Sequence, residues 1–345
     1  MAPLITVHGR IDARTARVIG RAAALYGYPL VEMLRLCRLQ TRPHHAQDAR
    51  SGPAMNTLRR WDGGPGRTHA FVSGWIQLAD GPYRLRWPAG AHPPARRMLL
   101  AIYDAASEPF LRVDLASADI STGGWLLLGP HAAPPPSDGS TVLRCPSDML
   151  WLIGRIDDGG QARDSLQLAT QVCLDRIAAD DSPVRRPAAV DLWRGPPVDM
   201  LSAIGWRNEH ARTIAADFFA NLCHGLAHAP RQLEDHLLLQ RMHDAGLGPC
   251  VDDFGDWPAS RRHALAEGLA DAALLIRRWQ REPQQCMRLP ETSPLLFTRR
   301  HALRAVAASC GIGTRDDEPF QGTGGLDMPL HPPAPDARHA LMAAA

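Results

Sequence analysis

The hydrophobic period changes along this chain, and that change restricts the fold more than any other feature of the sequence. Residues Ile11 to Leu39 carry apolar side chains near helical spacing, whereas residues His69 to Trp87 alternate with a period of two. Helical spacing returns after Val198 and continues to Ser309. We therefore expect an α+β protein, with a leading helix, an antiparallel and partly barrel-like β-rich domain, and a following helical segment.

Turn residues divide the β-rich region into short strands. The alternation on either side of Asp80-Gly81-Pro82 predicts a β-hairpin. Apolar runs between Gly and Pro turns predict further strands at Met98–Tyr103, Leu111–Leu115, Gly124–Leu128, Thr141–Arg144 and Leu150–Ile156. Thr41 to Arg67 is expected to be a long loop, and Ala162 to Ala179 a helix. Pro29 is expected to kink or divide the leading helix after Tyr28.

The length of the chain predicts more than one domain. Its 345 residues exceed the usual size of a single domain. We place the β-rich domain at residues 11–180, a Pro/Arg-rich connector at 181–205, a helical region at 206–310 and a disordered tail at 311–345.

Composition argues against several classes of protein. The net charge of +2 is small and the charges are mixed along the chain, which argues against a nucleic-acid surface. No stretch approaches about 20 uncharged apolar residues, so no membrane span is expected. The N-terminal residues lack the apolar core of a signal peptide. Seven scattered cysteines without a CxxC pair indicate free thiols, so a cytoplasmic protein is expected.

Six short motifs follow one another in the first half of the chain. They are Tyr26–Val31, Asn56, Ser73–Leu78 with Asp80–Pro82, Asp104, Gly129–Pro130 and Arg144–Arg155. In this order they resemble the bacterial domain of unknown function 1254 family, over roughly Ala13 to Ile177. Asp217 to Pro249 resembles the linker to that family's usual companion, domain of unknown function 1214, and Arg299 to Gly313 resembles the companion's start. The resemblance implies a companion domain truncated to a helical remnant.

The chain departs from the family at polar positions. Where relatives carry Pro-Asn-x-Asp-Thr, this chain has Pro65 to His69 without the Asn and Asp, and a family His is replaced by Arg59 or Arg60. Buried polar clusters are costly to keep without a use, so their loss indicates lost or changed activity. The first hypothesis is therefore a divergent, non-catalytic family member. It would act by binding or assembly, as a homo-oligomer or with a protein partner that covers the surface left by the truncated domain.

The rival hypothesis is a metal-dependent, hydrolytic enzyme of unknown substrate. Its candidate catalytic residues are His69, Asp104 and Arg155, which lie on or beside the family strands. Convergence of the three in one pocket would favour the enzyme, whereas dispersal or a bare apolar surface would favour binding.

A divalent metal is the one cofactor that the sequence suggests. Its candidate ligands are His224 and His228, four residues apart on a predicted helix, so that both imidazoles face one side. No Glu lies between them as in a zinc protease, and two exposed histidines at a helix end explain the spacing equally well.

Overall fold

The computed structural model describes residues 11–41, 54–62, 69–87, 97–114, 124–134, 140–157, 162–177, 200–203, 209–230, 232–249, 257–282, 284–290 and 297–311. These residues confirm the α+β class: a leading helix, then mostly antiparallel sheets, then helices. They form two compact units. The helical unit takes the leading helix as far as Arg35 together with the helices after residue 200, and the β unit takes the chain from Leu36 through all the strands. The predicted tail at 311–345 lies outside the described residues from 312 onward.

The leading helix, α1, spans Ala13–Thr41 without interruption. Its first turn is capped by Asp12, whose Oδ1 accepts a hydrogen bond of 2.9 Å from the Thr15 N–H. The expectation that Pro29 divides the helix is wrong, because α1 runs through it. Proline inside a helix costs about 3 kcal/mol. Every residue from Ala22 to Cys37 is buried, and this burial offsets the cost.

Nine described strands form two sheets in the β unit. They are β1 Arg59–Asp62, β2 His69–Gln77, β3 Tyr83–Arg86, β4 Arg97–Tyr103, β5 Pro109–Asp114, β6 Gly124–Leu128, β7 Thr141–Arg144, β8 Met149–Asp157 and β9 Cys173–Arg176. One sheet is antiparallel throughout, in the order β1-β2-β8-β4-β5. The other has the order β7-β6-β3-β9, and its β6 and β7 are parallel. Neither sheet closes on itself among the described strands, so the expected barrel-like form is not observed.

The predicted hairpin is wrong, because β2 and β3 lie in different sheets. β2 pairs with β1 and β8, whereas β3 pairs with β6 and β9. A 3₁₀ turn at Leu78–Asp80 and a φ of 125° at Gly81 redirect the chain between them. Glycine adopts this backbone conformation at little cost. Alternation along a strand shows which residues share a face, but it does not show which strand is the partner. Two alternating segments joined by a turn motif therefore need not pair with each other.

Two further boundaries differ from the prediction. The helix predicted at residues 162–179 is shorter, since α2 spans Ala162–Ala169 and is followed by β9. The stretch expected to be a loop contains β1. Both strands are four residues long, which is too short for a clear period-two signal.

Five helices follow in the helical unit. They are α3 Glu209–Gly225, α4 His236–Asp244, α5 Ala259–Arg281, α6 Gln284–Met287 and α7 Arg299–Gly311. α1 and α5 approach closely, because a Cβ added to Gly268 would lie 2.4 Å from the Arg17 carbonyl oxygen. The Arg17 guanidinium also pairs with Asp271 at 2.7 Å. None of the described helices is both long and apolar enough to cross a membrane.

Leu233, Leu237 and Met242 recur near helical spacing in the sequence, which predicts a shared apolar face. Met242 is buried as this spacing predicts, but Leu233 and Leu237 are exposed. Leu238 is buried together with Met242. These two residues are four apart and therefore share one helix face, which turns the face of Leu237 towards solvent.

Candidate functional site

The five-stranded sheet has two faces of different chemistry. Side chains alternate along a strand, so the odd-numbered residues of β2, β4 and β8 share one face and the even-numbered residues share the other. The even face is aliphatic and packs into the core: Ala70, Val72, Ile76, Met98, Leu100, Ile102, Leu150, Leu152 and Ile156. The odd face, here called the aromatic face, carries His69, Phe71, Ser73, Trp75, Gln77, Tyr103, Trp151 and Arg155. Two of the three candidate catalytic residues therefore lie on it.

A stacked tryptophan pair occupies one half of the aromatic face. Trp75 and Trp151 are cross-strand neighbours whose rings are 5.2 Å apart and 3° from parallel. The Trp151 Nε1–H donates to Ser73 Oγ at 3.0 Å, and the Trp75 Nε1–H donates to Gln40 Oε1 near the end of α1 at 2.8 Å. The Tyr103 ring lies 5.9 Å from that of Trp151. Both indole donors are satisfied, so the pair forms a rigid platform.

His69 and Arg155 lie at the other end of this face. The register places His69 opposite Asp157, and Phe71 opposite Arg155. His69 and Phe71 are two residues apart on β2, so His69 and Arg155 are about 7 Å apart along the strand direction. His69 is buried, with its ring edge-on to Phe71 at 5.0 Å, while Arg155 is half-buried. The structure therefore brings these two predicted residues to neighbouring positions.

A second arginine borders the same end. The Arg59 guanidinium lies over the Trp61 ring at 5.6 Å, and Trp61 stacks on Phe71 at 5.5 Å. Burial lowers the pKa of Arg59, because the protein interior disfavours its charged form. Arg59 and Trp61 are half-buried, as Arg155 is. This end combines guanidinium groups, aromatic rings and one imidazole.

Asp104 is remote from His69 and Arg155. It follows Tyr103, which is opposite Trp151, whereas Arg97 at the start of β4 is opposite Asp157 and thus in the row of His69. Seven residues separate Arg97 from Asp104, which corresponds to about 23 Å along an extended strand. The three candidate catalytic side chains therefore do not converge.

The Asp104 carboxylate closes the turn between β4 and β5. Its Oδ1 accepts hydrogen bonds from the backbone N–H groups of Ala106 at 2.8 Å and Glu108 at 2.9 Å. The Ala105 N–H donates to Ser147 Oγ at 2.9 Å, which ties this turn to the start of β8. Ser107 has a φ of 67°, a conformation that a serine keeps only where neighbouring bonds hold it. These contacts assign Asp104 a structural role.

Asn56, one of the residues that carry the resemblance, also has structural contacts. Asn56 has a φ of 62°, donates its N–H to the Trp75 carbonyl oxygen at 2.8 Å and accepts the Gln77 N–H on its Oδ1 at 2.7 Å. Asn56 thereby forms hydrogen bonds with the part of β2 that β1 does not reach.

Arg60 is one of the two residues that the resemblance led us to expect in place of a histidine. Its Nε donates to the Ala169 carbonyl oxygen at 2.9 Å, and its Nη2 donates to that of Val172 at 2.6 Å. The guanidinium thus joins β1 to the segment that connects the end of α2 to β9.

Gln77 is a polar residue of the aromatic face that sequence reasoning missed. It is 4% exposed, and its Oε1 accepts no hydrogen bond from any residue that the structure describes. Tyr103 was missed as well, and burial raises the pKa of its hydroxyl. The period-two alternation carried a signal for both, since they occupy odd positions of strands whose even positions are aliphatic.

A buried Asp–His contact in the helical unit was also missed. His301 Nε2 and Asp235 Oδ1 are 2.8 Å apart, and both side chains are buried. The Thr298 N–H donates to His301 Nδ1 at 3.2 Å, so Nε2 carries the proton that is shared with Asp235. Nε2 thus joins the start of α7 to the start of α4, whereas Nδ1 accepts a bond from the residue just before α7. The two partners are 66 positions apart in the sequence, so no local pattern predicts their contact.

His224 and His228 lie at the end of α3, where the sequence placed them. Their ring centres are 5.7 Å apart, and both residues are half-buried. Within the described ranges, no group of three or more His, Cys, Asp or Glu side chains is arranged to hold a metal ion. The two histidines therefore form a pair without a third such ligand in the part of the chain that is described.

Burial makes three of the cysteine thiols poor nucleophiles. The structure describes five cysteine side chains, none of which forms a disulfide: Cys37, Cys145, Cys173, Cys223 and Cys286. Burial raises the pKa of the Cys37, Cys145 and Cys286 thiols to about 12. These three thiols are protonated at neutral pH, whereas the thiolate is the reactive form.

Exposed leucines mark the surface of the helical unit. Leu233 is 95% exposed, and Leu237, one helical turn later, is 58% exposed. Leu274 on α5 is 56% exposed. Isolated exposed leucines are common on protein surfaces, but a nearly bare leucine with a second one beside it forms a small apolar patch.

Comparison with known proteins agrees with this architecture. Residues 53–172 match the model of a family described as "Protein of unknown function (DUF1254)". That match ends before α3, so the companion-domain interpretation of α3 to α7 stays a prediction. None of the curated proteins matches the chain.

One solved structure shares the fold. The VPA0106 protein from Vibrio parahaemolyticus aligns with a TM-score of 0.57 and 16% sequence identity, over 85% of this chain. The chain spans 66% of the length of that protein. Identity at this level shows similarity of fold alone.

Proposed function

We propose that this protein acts by binding and self-assembly and not by catalysis. The observation that carries the proposal is the separation of the candidate catalytic residues. His69 and Arg155 share one end of the aromatic face, whereas Asp104 lies about 23 Å from the row of His69 and about 17 Å from the row of Arg155 along the strand direction. A general acid or base must lie within hydrogen-bond reach of the group it serves, and no single substrate position meets that condition for all three.

The contacts of Asp104 support the same proposal. Its carboxylate already accepts the N–H groups of Ala106 and Glu108. Arg60, one of the two residues expected in place of a histidine, is committed to carbonyl groups at and just after the end of α2. Both residues therefore stabilise turns and connections between elements in this chain.

The surface for self-assembly is the patch formed by Leu233 and Leu237. The 3₁₀ turn Leu233–Asp235 leads directly into α4 through a helical His236, so both leucines lie on one continuous helical segment. Exposed charged residues, Glu234 and Arg241, flank the patch. An apolar centre with a polar rim is the composition of a protein–protein interface.

Charge complementarity favours a second copy as the partner. If two segments pack antiparallel about a two-fold axis at Leu237, Glu234 of one copy lies beside Arg241 of the other, and each gains a partner in addition to Arg300 and Asp244 of its own chain. Such a contact is self-complementary, as two-fold symmetry requires. Two leucines bury far less than the roughly 1,200 Å² of a stable complex, so we expect weak association.

The catalytic alternative is tested by hydrolysis assays on the purified full chain. Suitable probes are p-nitrophenyl acetate and p-nitrophenyl phosphate, each with Mg²⁺, Mn²⁺ or Zn²⁺. We expect no turnover that depends on the candidate residues, so that His69→Gln and Arg155→Gln give the same background rate as the wild type. Metal-dependent turnover that is lost in both variants would establish the enzyme and overturn the proposal.

Self-assembly is tested by sedimentation velocity over a wide range of protein concentration, because association follows mass action. The wild type should sediment faster as concentration rises, and the double variant Leu233→Gln/Leu237→Gln should remain monomeric. Leu274→Gln is the matched control, since it removes an exposed leucine from α5 of the same unit. A wild type that is monomeric throughout, or association that persists in the double variant, would refute this interface.

A further inference from the structure

His224 and His228 form a pair whose geometry suits a metal ion. α3 ends at Gly225, and the next three residues form a turn. The Ala227 N–H bonds to the His224 carbonyl oxygen, and the His228 N–H bonds to that of Gly225 at 2.8 Å. Both bonds reach three residues back, so this turn is tighter than an α-helix, and the observed ring contact is what shows that the two imidazoles lie close together.

The separation of the two rings matches what a chelated ion requires. Zinc binds imidazole nitrogens at about 2.0–2.1 Å, so two rings on a tetrahedral ion have centres about 5.2 Å apart. The observed separation is 5.7 Å, with an angle of 69° between the ring planes. Small side-chain rotations cover a difference of about 0.5 Å without leaving a rotamer well.

The position at a helix end adds a favourable electrostatic contribution. The last carbonyl groups of an α-helix point outwards and carry partial negative charge, which favours a cation near the C-terminus. His224 lies in the last turn of α3, and His228 lies just beyond it. Both are half-buried and not fully enclosed, so an ion and its water ligands have access.

We propose that His224 and His228 chelate one divalent transition-metal ion. Imidazole ligands favour ions such as Zn²⁺, Ni²⁺ and Cu²⁺ over Mg²⁺ and Ca²⁺, which prefer oxygen. No third His, Cys, Asp or Glu side chain joins the pair among the described residues, so water completes the coordination. This is an exchangeable binding site. The inference does not depend on the proposed self-assembly, because its residues lie on a different helix.

The test is a titration of the full chain, purified without a histidine tag, by isothermal calorimetry with Ni²⁺ and with Zn²⁺. We expect one bound ion per chain. Two ligands on one helix bind by chelation, so losing one should weaken affinity about 100-fold. His224→Gln and His228→Gln should each show this loss, while their circular dichroism spectra match the wild type.

The adjacent histidines His44 and His45 supply the matched control. The double variant His44→Gln/His45→Gln removes two imidazoles as well, and it should bind the ion as tightly as the wild type. Wild-type affinity in both His224→Gln and His228→Gln would refute the site. Loss of binding in the control variant, or no binding by the wild type, would refute it equally.

Discussion

Replacing Asp104 tests directly whether this carboxylate is structural. In Asp104→Ala, the N–H groups of Ala106 and Glu108 lose their shared acceptor. Ala106 is buried, so its unpaired N–H costs about 1–3 kcal/mol, while Glu108 is half-buried and water replaces part of its bond. The expected loss in the free energy of unfolding is therefore about 2–4 kcal/mol. Asp104→Asn keeps an equivalent oxygen, and we expect it to cost less than about 1 kcal/mol.

Thermal melts by circular dichroism measure the loss, which corresponds to a fall in Tm of roughly 5–15 °C. Since the chain has two compact units, hydrogen exchange of peptides from residues 97–114 shows whether the change lies in the β4–β5 region. Asp175→Ala is the control, because its pair with Arg86 is half exposed and worth at most about 1 kcal/mol. A wild-type melt for Asp104→Ala, or equal losses for the Ala and Asn variants, would refute the structural role.

Three further substitutions test the packing. Gly268→Ala should destabilise the helical unit by about 1–3 kcal/mol in a urea titration, because its Cβ would meet backbone atoms of α1. Gly248→Ala is the control and should be neutral or stabilising, because its Cβ would make only an ordinary contact of 3.8 Å with the His243 ring. Trp151→Phe should cost about 1–3 kcal/mol through the lost bond to Ser73 and should remove the exciton couplet of the stacked pair in the far-ultraviolet circular dichroism spectrum. A couplet that survives would contradict the stacking. Arg60→Lys should be destabilising by about 1–2 kcal/mol, since an ammonium cannot span both carbonyl groups, and a melt like that of the wild type would rule this bridging role out.

The candidate site shows which features of a site residue patterns can predict and which they cannot. The strands bearing His69 and Arg155 could be predicted from alternation. The structure places both residues on one face, two residues apart along the strand direction. Asp104 is on the neighbouring strand but at its far end, because strand register and direction, not strand existence, determine distance across a sheet. His224 and His228 are four residues apart in the sequence, so the nearness of their rings is a local feature, while their role as metal ligands stays a prediction.

Local chemistry thus determined the elements: the period of apolar residues set the helices, the longer strands and the α+β class, and turn residues set most of their ends. Tertiary structure alone decided which strands are partners, that β2 and β3 separate into two sheets, and that Asp235 meets His301. It also decided that Leu238 and not Leu237 faces the interior. The physical reason is that periodicity follows from the backbone geometry of a single segment. Pairing and burial depend on contacts between distant segments, whose free energy no short window of sequence contains.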